Sequence, residues 1–165
     1  MMIMKLKAFE KHLIDDDDER MILTQSSWAA GNSAAENGLD LRCFIDTSIP
    51  EDTVGAKLVA AVRFGDGASI GNGISAHGGA IETALDEATA ELAKATQGVM
   101  CYTTTANFQL KQKADLHQTY LIDAEITKIG IRGLRISIEA SLKDKDGNTA
   151  ALCSVQLANM AKVRR

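Results

Sequence analysis

The strongest constraint on this chain is a series of alternating stretches that follow a single helix. In Met100 to Gln112 the even positions Met100, Tyr102, Thr104, Ala106, Phe108 and Leu110 are mostly apolar, and the odd positions Thr103, Thr105, Asn107, Gln109 and Lys111 are polar. Tyr120 to Ile129 sets Tyr120, Ile122, Ala124 and Ile126 against Leu121, Asp123, Glu125 and Thr127. Leu134 to Leu142 sets Leu134, Ile136, Ile138, Ala140 and Leu142 against Arg135, Ser137, Glu139 and Ser141. Period two sustained over such lengths is the mark of antiparallel strands with one wetter face. Asn148 to Met160 reads as a further strand, apolar on both faces. Gly130 and the pair Asp146-Gly147 mark the turns between them.

Ahead of these strands, His77 to Thr96 reads as the one long helix. Ala80, Ile81, Ala84, Leu85, Ala88 and Leu92 recur at three- and four-residue spacing, and Gly98 is a good stop. Earlier still, Leu41 to Thr47 and Lys57 to Phe64 read as strands, and a glycine-rich connection (Gly65, Gly67, Gly71, Gly73) leads into the helix. The order is β-β-α-β-β-β-β. One helix then has to bury its stripe against one curved antiparallel sheet, an α+β architecture. Residues 41–165 form this domain. Residues 1–40 are expected to be a helical or loop extension: Lys5 to Ile14 has helical spacing, Asp15 to Glu19 is an acidic run, and Ser26 to Gly38 is small and polar.

Length and charge fit a single domain. The chain has 165 residues, with 18 Lys and Arg against 22 Asp and Glu, for a formal charge of −4. Residues 1–100 carry −8 and residues 101–165 carry +4. An acidic chain is a poor general nucleic-acid binder. The basic C-terminal part is either a local site for a phosphorylated ligand or a set of solvated strand faces. No apolar run approaches the roughly 18 residues of a membrane span. Cys43, Cys101 and Cys153 are isolated, without CxxC or a zinc-type His–Cys spacing, so reduced thiols and no metal are expected. Met1 to Lys7 lacks the features of a secretory signal. The reading is cytoplasmic. Mitochondrial import is the lesser alternative, because Asp15 to Asp18 follow closely and Arg is scarce.

The chemistry-bearing segment is His77-Gly78-Gly79 at the helix start, with Asp86 further along. Helix-opening N–H groups are unpaired and lie at the positive end of the dipole. Two glycines let a ligand oxygen come close, so Gly78 and Gly79 make either an oxyanion-type site or simply a flexible helix start. Asp86 lies opposite the centre of the apolar stripe. Its helical neighbours are Gly79, Glu82, Thr83, Ala90 and Ala93, several of them small, as if another surface approached. In such a place a carboxylate can act as a base; the alternative is a solvated acid. Glu82, Glu87 and Glu91 are rival carboxylates, the last two read as surface or salt-bridging groups. Thr103, Thr105 and Asn107 share the polar strand face, where a hydroxyl either supports the base or is an ordinary β-former. His77 is either a cap or a ligand contact. There is no GxSxG, and no Ser–His–Asp triad can be assembled.

The run His77-Gly78-Gly79-Ala80-Ile81, with Asp86 nine residues after the histidine, resembles the hotdog-fold acyl-CoA thioesterases, in particular the PaaI-like and thioesterase-superfamily-member group. Thr105-Ala106-Asn107 is similar to the Thr-Ala-Asn of some members. The resemblance covers roughly residues 40–160. It implies a hotdog fold, with a long helix wrapped by a curved sheet, and a homodimer or a dimer-of-dimers tetramer with the site at the dimer interface. It implies that Gly78 N–H polarises the thioester carbonyl while His77 shapes that end. Asp86 of the partner subunit would be base or nucleophile, with Thr105 supporting it; Thr103 and Thr104 are its possible substitutes. Several members carry Asn six residues before the histidine; that position is Gly71 here, with Asn72 beside it. Gly79, Asn72 and Thr103 are therefore expected at the substrate. No cofactor is implied beyond the CoA of an acyl-CoA substrate, whose phosphates would meet Lys111, Lys113, Arg132 and Arg135. A non-catalytic acyl-CoA or small-ligand binding protein on the same fold is the alternative, and an acyl-thioester dehydratase is a third.

Overall fold

The computed structural model describes residues 21–24, 38–46, 50 and 53–163. In chain order they form β1 (Met21–Thr24), β2 (Leu39–Asp46), β3 (Lys57–Phe64), α1 (Gly78–Gln97), β4 (Cys101–Leu110), β5 (Thr119–Ile129), β6 (Arg135–Lys143), β7 (Thr149–Asn159) and the short α2 (Met160–Val163). The strands make one sheet in the order β1-β2-β3-β5-β6-β7-β4, and every neighbouring pair is antiparallel.

Alternation puts one row of each strand on the inner face. Val62 and Phe64 of β3, Ile122 and Ile126 of β5, Ile136, Ile138 and Leu142 of β6 and Val155 and Leu157 of β7 are all buried. The α1 stripe (Ile81, Ala84, Leu85, Ala88, Leu92) closes the same core. Each such leucine or isoleucine withdrawn from water contributes about 1.5–3 kcal/mol, which is what holds α1 to the sheet. The helix starts after its cap at His77 and ends at Gly98, whose left-handed φ of 65° closes the last turn with its N–H on the Lys94 carbonyl. A small apolar cluster of Phe44, Ala61 and Leu121 lies outside this core.

Several expectations change. Met21–Thr24, placed in a helical or loop extension, is a strand on β2, and β2 itself begins at Leu39, so the sheet runs across the boundary drawn at residue 40. A four-residue strand is too short to show a period, and the open edge of β2 supplies its partners. The helical reading of Lys5 to Ile14, the acidic run and the loop reading from Ser26 to Asn37 fall outside the described residues. β7 is not apolar on both faces: Leu152, Ser154 and Gln156 point outward and are exposed. Among the described residues no helix is long and apolar enough to cross a membrane.

β4 departs most from simple alternation. Thr103 pairs with Leu157 and Thr105 with Gln156, so Thr104 is an extra residue, a β-bulge. Before the bulge the odd positions Cys101 and Thr103 face inward. After it the even positions Ala106, Phe108 and Leu110 do, opposite the buried Val155, Cys153 and Ala151. Tyr102, read with the apolar row, is on the outer side and 60% exposed.

Candidate functional site

The site begins where the glycine-rich loop becomes α1. The loop settles its own polar groups. Ser69 Oγ accepts the Gly71 and Gly73 N–H groups, and Asn72 Oδ1 accepts those of Ile74 and Ser75 at 2.9 and 3.0 Å. Main-chain bonds then tie it down, with Ala76 N–H on the Ala114 carbonyl and His77 N–H on that of Ala68. Asn72, expected at the substrate, therefore spends its carbonyl on shaping the loop.

At the helix start the three residues of the motif have different fates. His77 is the cap: its Nδ1 accepts the Gly79 N–H at 2.9 Å, and its carbonyl accepts Ala80 and Ile81 N–H. His77 thus caps the helix, and the Gly79 N–H is already taken by this bond. Gly78 N–H bonds no acceptor among the described residues. It sits at the positive end of a 20-residue helix, so a ligand oxygen there meets both an unpaired donor and a favourable field. A Cβ on Gly78 would lie 3.0 Å from Leu110 Cδ1, at the far end of β4. Sequence reasoning did not single out Leu110. Its signal is an apolar residue ending the strand that faces the glycines.

Asp86 is half-buried on the α1 side that meets β4. Its Oδ1 accepts the Thr103 hydroxyl at 2.8 Å. The small residues around Asp86 are thus explained in part by the chain's own strand. Thr105 does not make this contact: the bulge turns it to the outer face opposite Gln156, and Thr104 Oγ1 donates to the Gln156 carbonyl. Thr103, rather than the Thr105 of the Thr-Ala-Asn likeness, is the threonine bonded to Asp86 in this chain. Cys153, buried opposite Phe108, lies near enough to Asp86 to feel it. Burial first, and then the Asp86 carboxylate, push its thiol up to about 12. Glu91 is not at the surface but is 6% exposed, with its carboxylate 3.4 Å from Lys94 Nζ.

Gly78 and Asp86 stand apart within one chain. Eight residues of helix at 1.5 Å each separate Gly78 from Asp86 by about 12 Å. A polarised carbonyl and the water attacking it need donors and base within about 3 Å of the reacting atoms. The four basic candidates are likewise divided. Lys111 and Lys113 follow β4 at the Gly78 end, and Lys113 is engaged by Asp115 at 2.9 Å. Arg132 and Arg135 lie at the β5–β6 turn, where Arg135 pairs with Ala158 beside Tyr102, at the other end of β4. Two concavities of about 530 and 230 Å³ indent the outer sheet face; the smaller includes Asn107, and neither includes Gly78, Asp86 or Thr103.

No family model matches the sequence, and no curated protein matches it. Solved structures do match. The chain has the hotdog fold. It superposes on the PaaI protein of the Escherichia coli phenylacetic acid degradation operon with a TM-score of 0.57 and 17% identity, covering 73% of this chain and 82% of that one. Smu.793 of Streptococcus mutans, solved with acetyl-CoA, matches with a TM-score of 0.56 and 20% identity over 62% of this chain and 79% of its own. A hypothetical thioesterase protein of Streptococcus pneumoniae, solved with coenzyme A, matches at 0.59 and 16% identity over 76% and 90%. That protein has also been solved with an aspartate and, separately, a threonine replaced by alanine. Of these three neighbours, one is named a thioesterase, and two were solved with acetyl-CoA or coenzyme A.

Proposed function

We propose that the protein hydrolyses acyl-CoA thioesters at a site shared by two copies of the chain. The observation that carries this reading is the separation of an unpaired Gly78 N–H from the Thr103-held Asp86 carboxylate along one exposed edge strand. β4 is the last strand of the sheet, and an antiparallel, two-fold pairing of β4 with its copy reverses its ends. Thr103 and Asp86 of the partner subunit then come beside Leu110 and Gly78. The CoA-bound hotdog neighbours support the choice of substrate.

In this arrangement Gly78 N–H donates to the thioester oxygen and draws charge toward it. Asp86 of the partner subunit takes a proton from water as the water oxygen bonds to the carbonyl carbon. Thr103 of the same subunit, donating to Oδ1, holds the other carboxylate oxygen toward that water. Collapse breaks the C–S bond and releases the free acid. The CoA thiolate takes back the proton. The same reversal of ends brings one subunit's Lys111 toward the other's Arg132 and Arg135, a basic rim for the CoA phosphates. Lys113, already paired with Asp115, contributes least.

Subunit complementation tests this directly. Asp86→Ala removes the base. Gly78→Pro removes the N–H at the first helical position, where proline fits the helix; His77 already has the extended backbone a following proline requires (φ −66°, ψ 142°). Each variant alone should fail to release CoA from a panel of acyl-CoAs. Mixed and re-equilibrated, they should recover about a quarter of wild-type activity, because half the dimers then hold one intact site. Absence of recovery, with mixed dimers demonstrated, places both groups in one chain and ends the shared-site reading.

A further inference from the structure

Beyond the catalytic groups, the inner row of β4 carries information about the substrate. After the bulge, Ala106, Phe108 and Leu110 line the inner side of the strand that runs from Thr103 to Gly78. Phe108 packs on the core, but Leu110 is 47% exposed, although it belongs to the row whose partners on β7 are buried. Its Cδ1 stands 3.0 Å from where a Cβ on Gly78 would be. A half-exposed branched side chain thus leans on the one helix-opening residue whose N–H is free.

A carbonyl oxygen accepting from Gly78 N–H at about 2.9 Å binds at the residue whose Cβ position lies 3.0 Å from Leu110 Cδ1, so its acyl group starts beside that side chain. From this contact we propose that Leu110 is the wall of the acyl pocket and sets the bulk allowed next to the thioester carbonyl. The acyl class it fits is apolar and unbranched at the first carbon. A straight chain covers the leucine and removes its exposed surface from water, whereas a branch at that carbon collides with it. This rests on the shared-site reading for the position of the carbonyl, and it makes Leu110 a specificity residue that takes no part in proton transfer.

The test uses binding, so that it stands apart from turnover. The probes are free CoA and carba-dethia analogues of acetyl-, hexanoyl- and isobutyryl-CoA, in which a methylene replaces the sulfur and the carbonyl is kept. The full-length protein is compared with Leu110→Ala, Leu110→Phe and Leu110→Met by calorimetry. Leu110→Ala should improve isobutyryl over acetyl binding by about tenfold, the worth of one methyl-sized contact, and weaken the hexanoyl analogue. Leu110→Phe should shift the isobutyryl-to-acetyl ratio the other way. Leu110→Met should stay near wild type, and free CoA should bind all four alike. An isobutyryl-to-acetyl ratio that moves less than twofold in both the Ala and Phe variants overturns the proposal. So does a loss of free-CoA affinity that parallels the acyl changes. Hydrolysis of the authentic thioesters is measured beside it. No turnover with discrimination that follows residue 110 defeats the catalytic reading and leaves Leu110 as the wall; turnover with discrimination blind to residue 110 does the reverse.

Discussion

Thr103→Val is the substitution that most sharply separates the structure from a plain period-two reading of β4. Valine keeps the β-branched shape and removes only the hydroxyl that donates to Asp86 Oδ1 at 2.8 Å. A hydrogen bond to a charged group contributes about 1.5–3 kcal/mol net. Thr103 is exposed in the single chain, so the lower end applies, about 1.5 kcal/mol. If that bond orients the carboxylate for water activation, the loss falls on kcat and amounts to roughly tenfold. KM should change little, because the acyl-CoA is not held by this hydroxyl. Thr105→Val should cost less than about twofold, since the bulge has turned its side chain to the outer face. Thr103→Ser, which restores a hydroxyl, should recover most of the rate. The assay is steady-state CoA thiol release over a range of acyl-CoA concentrations, with Tm measured alongside. Equal losses in the two valine variants, or no rescue by serine, would refute the assignment of Thr103 as the positioning residue.

Three further outcomes follow from the same geometry. Gly78→Ala places a methyl 3.0 Å from Leu110 Cδ1. That leucine is half-exposed and can swing aside, so Tm should hold within about 3 °C while turnover drops, and a Tm fall larger than the activity loss would show the contact to be structural only. His77→Ala removes the cap on Gly79 N–H, which should cost about 1 kcal/mol and appear as a Tm fall of about 2–4 °C; an unchanged Tm would deny the cap. The third outcome concerns alkaline stability. The Cys153 thiol sits at about 12 in the fold against 9.0 in the unfolded chain. Between those values the native state holds a proton that the unfolded state has lost. This contribution is therefore fully present below pH 9 and fades as pH rises, by roughly 1 kcal/mol per pH unit. Urea midpoints at pH 8, 9.5 and 10.5 should decline more steeply in wild type than in Cys153→Ala, and parallel declines would contradict it.

What could be read from the residues, and what could not, has physical causes. The strands β5 and β6 and the helix were legible because each buries one face over two or more periods, and burial is what selects apolar residues. The helix ends were legible because an acceptor-poor start and a left-handed stop demand particular residues: the cap at His77 and Gly98 at φ 65° occupy the expected places. The bulge was not legible. Thr103-Thr104-Thr105 holds neither glycine nor proline, and three consecutive threonines read the same in either register. Only the pairing with Leu157 and Gln156 shows which hydroxyl turns toward α1. The fates of Gly79 and Asn72 were hidden for a different reason. A motif marks which donors and acceptors exist, but whether the loop has already used them depends on bonds between neighbours, such as His77 Nδ1 to Gly79. The division of the four basic residues between two ends of the sheet is likewise a matter of topology, invisible in a linear charge count.

On the proposed shared-site reading, the edge strand and the site are one feature. β4 spans ten residues, Cys-Tyr-Thr-Thr-Thr-Ala-Asn-Phe-Gln-Leu, with no charge and no proline, whereas proteins usually blunt an exposed edge with lysine, proline or brevity. The opposite edge, β1, is only four residues long. An unguarded ladder of this length invites a second copy. If Thr103 stands across from Leu110 of the partner subunit, the two-fold axis falls at Asn107, because Thr104 is the extra residue of the bulge. Ala106 is exposed and inward-facing, so its two copies are diagonal neighbours about 7–8 Å apart across the axis. Ala106→Lys then sets two like charges against each other at the centre of the interface, and Ala106→Asp does the same with the opposite sign. Each variant alone should sediment as a monomer at micromolar concentration and lose turnover in step with dissociation. Mixing the two should restore both the dimer and the activity, because the heterodimer alone places Lys opposite Asp. Variants that remain dimeric, or a mixture that re-forms the dimer without recovering turnover, would break the link between the paired edge and the completed site.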